Sequence, residues 1–151
     1  MKVVVCGSMA FLEQMEQLKQ ELENLGFQVI IPKLTDMELA AGEYDPVHFG
    51  RNKDGKYDPT NKYWKDKAGS LDYYFGEIKK ADIVLVANYD KKGVKGYIGG
   101  NVLMEMALAF WFKLPMYLLQ TPDYESLSYS DEILGTGAIS INHDLSLIQK
   151  E

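Results

Sequence analysis

Glu105 is the residue whose surroundings most demand a chemical explanation. It lies in GGNVLMEMALAF (residues 99–110), a run whose expected helix is apolar on nearly every face. A buried carboxylate costs several kcal/mol unless it is paired or hydrogen-bonded, so a solitary one on a core helix is often kept for a specific task. Two readings stand here: a reactive carboxylate, or the one solvated stripe of the helix. Gly7 and Ser8 are the other suggestive pair. They fall between a first strand and a first helix, where free backbone amides and the helix dipole suit a phosphate or a sugar hydroxyl. On local grounds alone, ordinary turn and capping chemistry accounts for them somewhat better. Asp82, at the start of a strand, and Asp90, in the turn after Asn88 and Tyr89, read as structural taken alone.

Other chemistries find no support in the residue spacing. His48 and His143 lie far apart, and one cysteine excludes the usual zinc patterns, so neither a metal nor a cofactor is expected. The GSM at Gly7 to Met9 lacks the second glycine of a nucleophile elbow, and neither GxGxxG nor GxxxxGK[ST] occurs.

The elements that must position these residues follow from periodicity. Residues 2–6 form a β-branched run that reads as a buried parallel strand. Phe11, Met15, Leu18, Leu22 and Leu25 recur at spacings of three and four and end at Gly26, which predicts an amphipathic helix. A second strand is expected over 27–31, closed by Pro32 and completing a right-handed βαβ unit. Periodicity then disappears over 33–69, which carries Tyr44, His48, Phe49, Tyr57, Tyr63 and Trp64. That stretch reads as a partly ordered lid, or as an insertion packing its rings on a neighbouring subunit. Beyond it, a helix is expected over 71–80, a strand over 82–87, a helix over 102–112, strands over 116–119 and 138–141, and a terminal helix over 144–150. The segment 124–132 reads as an ordinary surface loop. The alternation predicts one α/β domain spanning 1–151, a doubly wound, flavodoxin-like or Rossmann-like parallel sheet of four to five strands. Ligands in such folds bind beyond the strand carboxyl ends, which singles out the loops after Cys6 and Ala87.

Composition narrows the classes further. At 151 residues, with 46% hydrophobic and 25% charged residues, the chain can bury a sizeable core. Sixteen Lys and Arg against 22 Asp and Glu leave a net charge of -6 with no basic cluster, which disfavours a nucleic acid polymer as partner. The single Cys6 fits a reducing compartment, so a cytoplasmic protein is expected. The longest apolar run, 107–119, is broken by Lys113 and Pro115 and falls short of the roughly 20 residues a bilayer requires, so no membrane span is expected. The apolar surface of the 102–112 helix, with Phe110, Trp111 and Phe112, exceeds what one sheet face absorbs and predicts a homo-oligomer.

Together, CGSM after the first strand, KKADIVLV around Asp82 and GYIGGNVLMEMALAF resemble the nucleoside 2-deoxyribosyltransferase family over most of the core. Glu105, Ala107 and Ala109 match the family's glutamate-bearing helix. The resemblance implies that Glu105 is a nucleophile attacking the anomeric carbon of a 2-deoxynucleoside, and that Asp82 binds or protonates the leaving base. It also implies a substrate-binding set of Gly7, Ser8 and Met9 in the first loop, Asn88 and Asp90 after the central strand, and Gly99, Gly100 and Asn101 before the glutamate. In the related deoxynucleoside monophosphate N-glycosidases the first loop holds the 5'-phosphate. The sequence departs from the pattern at Ile98, Gly99 and Gly100, where many transferases carry a second acid.

Retaining glycosyl transfer uses one carboxylate as nucleophile and a second group, roughly 5 Å away, as acid. Glu105 and Asp82 are the expected pair, with Tyr63 or Trp64 stacking on the base and excluding water. The substrate is then a small nucleoside or its 5'-monophosphate. The missing acid keeps open a non-catalytic nucleotide-binding or sensing module on the same fold. The phosphoribohydrolases of the lysine-decarboxylase-like type rank third, because their PGGxGTxxE motif is unmatched by Gly99 and Gly100 followed by NVLME.

Overall fold

A computed structural model describes residues 1–33, 58–60 and 62–149. Five strands, β1 (Lys2–Cys6), β2 (Gln28–Ile30), β3 (Ile83–Val86), β4 (Met116–Leu118) and β5 (Ile139–Ser140), form one sheet in the order β2-β1-β3-β4-β5. Every pairing is parallel. The helices are α1 (Leu12–Asn24), α2 (Lys62–Lys79), α3 (Gly100–Trp111) and α4 (Ser130–Gly135), with 3-10 turns at Met9–Phe11 and Leu145–Leu147. This is the doubly wound α/β architecture expected from the alternation, with five strands. No helix among the described residues is long and apolar enough to cross a membrane.

Strand alternation divides the core into two layers. Val3 and Val5 of β1, with Ile83 and Leu85 of β3, face Met15, Leu18 and Leu22 of α1. Val4, Cys6, Val84 and Val86 point the other way, toward Tyr74 and Ile78 of α2 and Val102, Met106 and Ala109 of α3. α1 ends as its glycine predicts. Gly26 takes a φ of 87°, and the amides of Gly26 and Phe27 bond back to the carbonyls of Glu23 and Leu22 at 2.9 and 3.1 Å.

Three expectations are revised. α2 begins at Lys62 rather than near 71, so residues 62–69 belong to a helix and not to a lid, and Trp64 is a helical residue. The rest of the expected lid falls largely on 34–57, outside the described residues. The terminal helix over 144–150 is only the 3-10 turn Leu145–Leu147, capped by Asp144, whose side chain accepts from the Ser146 amide. α4, which begins within the 124–132 stretch read as loop and runs beyond it, has a single buried residue, Ile133, and so too few apolar positions to show a helical period.

The loop between β3 and α3 is held by one buried amide. Asn88 Nδ2 donates to the Gln120 carbonyl at 2.8 Å, and the Gln120 amide donates to Asn88 Oδ1 at 3.1 Å. Asp90 Oδ1 accepts from the Gly96 amide at 3.0 Å and from Gln120 Nε2 at 2.6 Å. Gly96 permits this closure because its φ is +63° and a Cβ there would lie 2.7 Å from Pro122 Cα. Gly96→Ala combines strain at positive φ with a backbone clash, and costs about 2 kcal/mol or more in the urea unfolding free energy.

Candidate functional site

The strand order places a topological switch between β1 and β3, which run to opposite sides of the sheet and end flush, with Cys6 opposite Val86. In open α/β sheets the crevice at that point, beyond the carboxyl ends, is the usual ligand site. α3 delivers Glu105 to it. Val102, Glu105, Met106 and Ala109 make the buried stripe of this helix, at spacings of three, four and seven. Glu105 therefore lies on the core side at 8% exposure, which removes the reading of a solvated stripe.

Its carboxylate meets the end of β1. The Cys6 side chain lies beside Glu105, closely enough to influence its titration, while Glu105 Oε2 is buried with no hydrogen-bond partner. Burial pushes the Glu105 pKa from the ordinary 4.5 up to about 7, opposed by the neighbouring Cys6 thiol and the charge of Lys67 on α2. Burial is also the largest influence on Cys6, and with the nearby carboxylate it raises the thiol well above its usual value. Tyr74, seven residues beyond Lys67 on α2, donates its hydroxyl to the Val5 carbonyl. Burial first, then the neighbouring ionisable Cys6 and Glu105, hold the pKa of that phenol well above its usual value. A carboxyl that titrates near neutrality, in a dry setting with one oxygen uncommitted, is equipped to act as a nucleophile or a base.

Asp82 is not part of this group. It precedes β3, where its Oδ2 accepts from the Lys2 amide at 2.6 Å, and Ile83 pairs with Val3 at the amino end of the sheet. Four residue steps along the strand separate it from Val86, about 13 Å at the rise of a parallel strand. The two carboxylates thus occupy opposite edges of the sheet and cannot share a crevice. The reason is directional: the expected pair set the beginning of one strand against a helix packed over the carboxyl ends. Asp82 joins the amino edge instead, near the 2.7 Å ion pair of Lys2 with Glu77.

The first loop and the loop after β3 meet. Ser8 caps the 3-10 turn, its Oγ accepting from the Ala10 amide at 3.3 Å and from Lys91 Nζ at 2.8 Å. Lys91 Nζ also lies 5.1 Å from the centroid of the Tyr97 ring, and a Cβ on Gly99 would meet that ring at 3.3 Å. Gly7 has no room for a side chain, since a Cβ would stand 2.7 Å from Met15 Sδ and 3.3 Å from the Ala87 carbonyl oxygen. Met9 lies in the 3-10 turn. Gly99 caps α3 without any side-chain hydrogen bond, followed by the exposed Gly100 and Asn101. Asn88 and Asp90 are engaged in the loop closure described above, so their role in the structure is to hold the crevice wall. Tyr63 has no described side chain.

Sequence reasoning missed Cys6, Lys67, Tyr74 and Lys91. Cys6 was legible only as a buried strand residue, and Lys67 lay in a segment without visible period. Among the described residues, no three His, Cys, Asp or Glu side chains gather as a metal site. No protein-family model matches the chain, and no curated protein or solved structure matches it.

The raised pKa of Glu105 makes stability pH-dependent with a definite sign. The folded state binds this proton more tightly than the unfolded chain, so the contribution is complete below 4.5 and lost as pH rises through about 7. The loss amounts to about 3 kcal/mol. Glu105→Gln cannot ionise, so it gains stability relative to the wild type on going from about pH 5 to about pH 8, read from urea midpoints at each pH.

Proposed function

We propose that the chain cleaves or exchanges the N-glycosidic bond of a 2-deoxynucleoside or its 5'-monophosphate, with Glu105 as the nucleophile. What supports this is one buried carboxylate with an unpartnered oxygen where β1 and β3 diverge. A covalent sugar ester needs a lone pair not already bonded, little competing water and a conjugate acid near the working pH. Glu105 Oε2 attacks the anomeric carbon, the bond from that carbon to the base nitrogen breaks, and the electron pair leaves with the base, which takes up a proton. A second base or a water then attacks the same carbon and releases the carboxylate. Asp82 takes no part. Gly7, Ser8 and Met9, with Gly99, Gly100 and Asn101, are the proposed contacts for the sugar and any 5'-phosphate. The partner is a small nucleoside or nucleotide rather than a polymer, and the setting is a reducing cytoplasm, where a free Cys6 persists.

Base release from deoxynucleosides and their monophosphates, followed by chromatography with and without a second base, tests the reading. Glu105→Gln loses at least about 10³-fold in turnover, whereas Asp82→Ala stays within about threefold because it touches only the far edge. The rising limb of turnover with pH has its midpoint at about 7, since the nucleophile must be ionised. Saturable nucleotide binding without turnover by the wild type overturns this reading in favour of a sensing module.

We further propose that the outer face of α3 joins copies of the chain. Met104, Ala107 and Trp111 follow one another at spacings of three and four on the exposed side, and Trp111 is 75% exposed. The only charged residue of α3 is the buried Glu105, so this face is uncharged. An unbroken apolar face of this kind is unusual on a monomer. Sedimentation velocity at micromolar concentration shows an oligomer for the wild type and a monomer for Trp111→Glu; a monomeric wild type contradicts the proposal.

A further inference from the structure

Glu105 Oε2 is buried, so no sugar carbon reaches it until something moves. The packing of α2 shows which part can move. Its carboxyl end is fixed at the amino edge of the sheet, where Glu77 pairs with Lys2 at 2.7 Å and the Asp82 amide bonds the Lys2 carbonyl at 2.9 Å. Its 18 residues rise about 27 Å, whereas the five residues of β1 beside it span about 16 Å. The surplus of about 10 Å, about seven residues of helix, must overhang the carboxyl edge above Cys6 and the crevice. The Tyr74 hydroxyl on the Val5 carbonyl marks the first anchored turn. Tyr74 is also the first buried side chain of the helix, since none of those described over 64–73 is buried. We propose that residues 62–69 of α2 are a hinged helical arm over the Glu105 crevice, which unwinds as far as Gly69 to admit the substrate and rewinds to exclude water. Its role in admitting a nucleoside rests on the glycosyl-transfer reading; the arm itself does not.

The arm is regular helix, and what it lacks is anchorage. Packing of an apolar face supplies most helical stability in proteins, and in α2 that face begins with Tyr74 and Ile78. Three of the first six residues are lysines, Lys62, Lys65 and Lys67, against one aspartate, and the first turn carries no acid, so the charges oppose the helix dipole. Gly69 weakens the arm further. A Cβ there would meet nothing within 4 Å, so no close approach calls for glycine, and glycine disfavours the helix about fivefold relative to alanine. Segments with so little burial open locally, without unfolding the domain. α2 packs on α3, and Lys67 in the arm is close enough for its charge to act on Glu105, so unwinding the arm uncovers that carboxylate.

The single thiol reports on the opening without requiring turnover, because Cys6 is fully buried where the crevice begins. Its labelling by a small methanethiosulfonate is followed by mass spectrometry in native buffer and in low urea. In the wild type the rate is nearly independent of urea below the unfolding transition, since unwinding the arm exposes little surface. Gly69→Ala slows labelling about fivefold. Gly76→Ala is the control: a Cβ there also meets nothing within 4 Å, but the residue lies in the anchored half, so the substitution stabilises the fold and leaves the labelling rate unchanged. Hydrogen exchange of the amides of 66–70 is faster than that of 74–79 and is slowed by Gly69→Ala alone. Labelling that accelerates with urea as global unfolding does, or that both alanines slow equally, overturns the inference. Where base is released, kcat/KM falls about fivefold in Gly69→Ala and holds in Gly76→Ala, because only the open fraction binds; an unchanged kcat/KM in Gly69→Ala removes the arm's role in admitting substrate. A protein that labels in the expected pattern but releases no base overturns the glycosyl reading and keeps the arm.

Discussion

Burying the Glu105 carboxylate under the carboxyl edge of β1 is the constraint on which the other features of the site depend. An ionised carboxylate out of water is costly, and here one oxygen has no hydrogen bond to offset that cost. The structure lowers the cost in three ways. The neighbouring Cys6 thiol favours the ionised form, Lys67 supplies a nearby positive charge, and the pKa moves toward neutrality so that a proton is retained over much of the working range. Each requires a particular element. β1 must end at Cys6, α2 must extend back to Lys67, and α3 must turn its stripe of Val102, Glu105 and Met106 onto the sheet.

The sheet order makes this arrangement possible. Because β1 lies between β2 and β3, the chain leaving its end and the chain leaving β3 pass to opposite faces and open a crevice between them. The loop from β3 must then cross that crevice without closing it. Asn88, Asp90 and Gln120 tie the loop to the end of β4, and the positive φ of Gly96 lets it approach Pro122. Polar residues that look available for a ligand are thus used to fix the wall, and the backbone at Gly99 and Gly100 remains without side-chain caps.

Most of the layer structure was legible in the sequence because its helices and strands carry clean periods. The β-branched runs of β1 and β3 and the three-and-four spacing of Met15, Leu18 and Leu22 leave little choice of element. Glu105 was legible as an anomaly, since a charge among apolar neighbours stands out without coordinates. Its partners were not, because Cys6, Lys67 and Tyr74 come together from residues far apart in the chain and only the tertiary fold joins them. Asp82 misled for a related reason. Its place at a strand terminus could be read from the sequence, but its value depended on which terminus, and it lies at the amino end, bonded to the Lys2 amide. α2 was shortened because its first turns carry Lys62, Lys65, Asp66 and Lys67 and show no apolar stripe.

A carboxylate tuned to about 7 also reconciles two demands that oppose one another in glycosyl transfer. A strong nucleophile is a strong base, which favours a high pKa, but only its ionised fraction attacks, which favours a low one. The best compromise lies near the ambient pH, and burial drives the pKa upward because desolvation disfavours the charged form. The thiol and Lys67 oppose that shift. The neighbouring thiol and a charge acting from the next helix lower it again and leave Oε2 without a partner, as a direct ion pair at that oxygen would not. The economy of partners around Glu105 is therefore what leaves a buried, basic oxygen uncommitted.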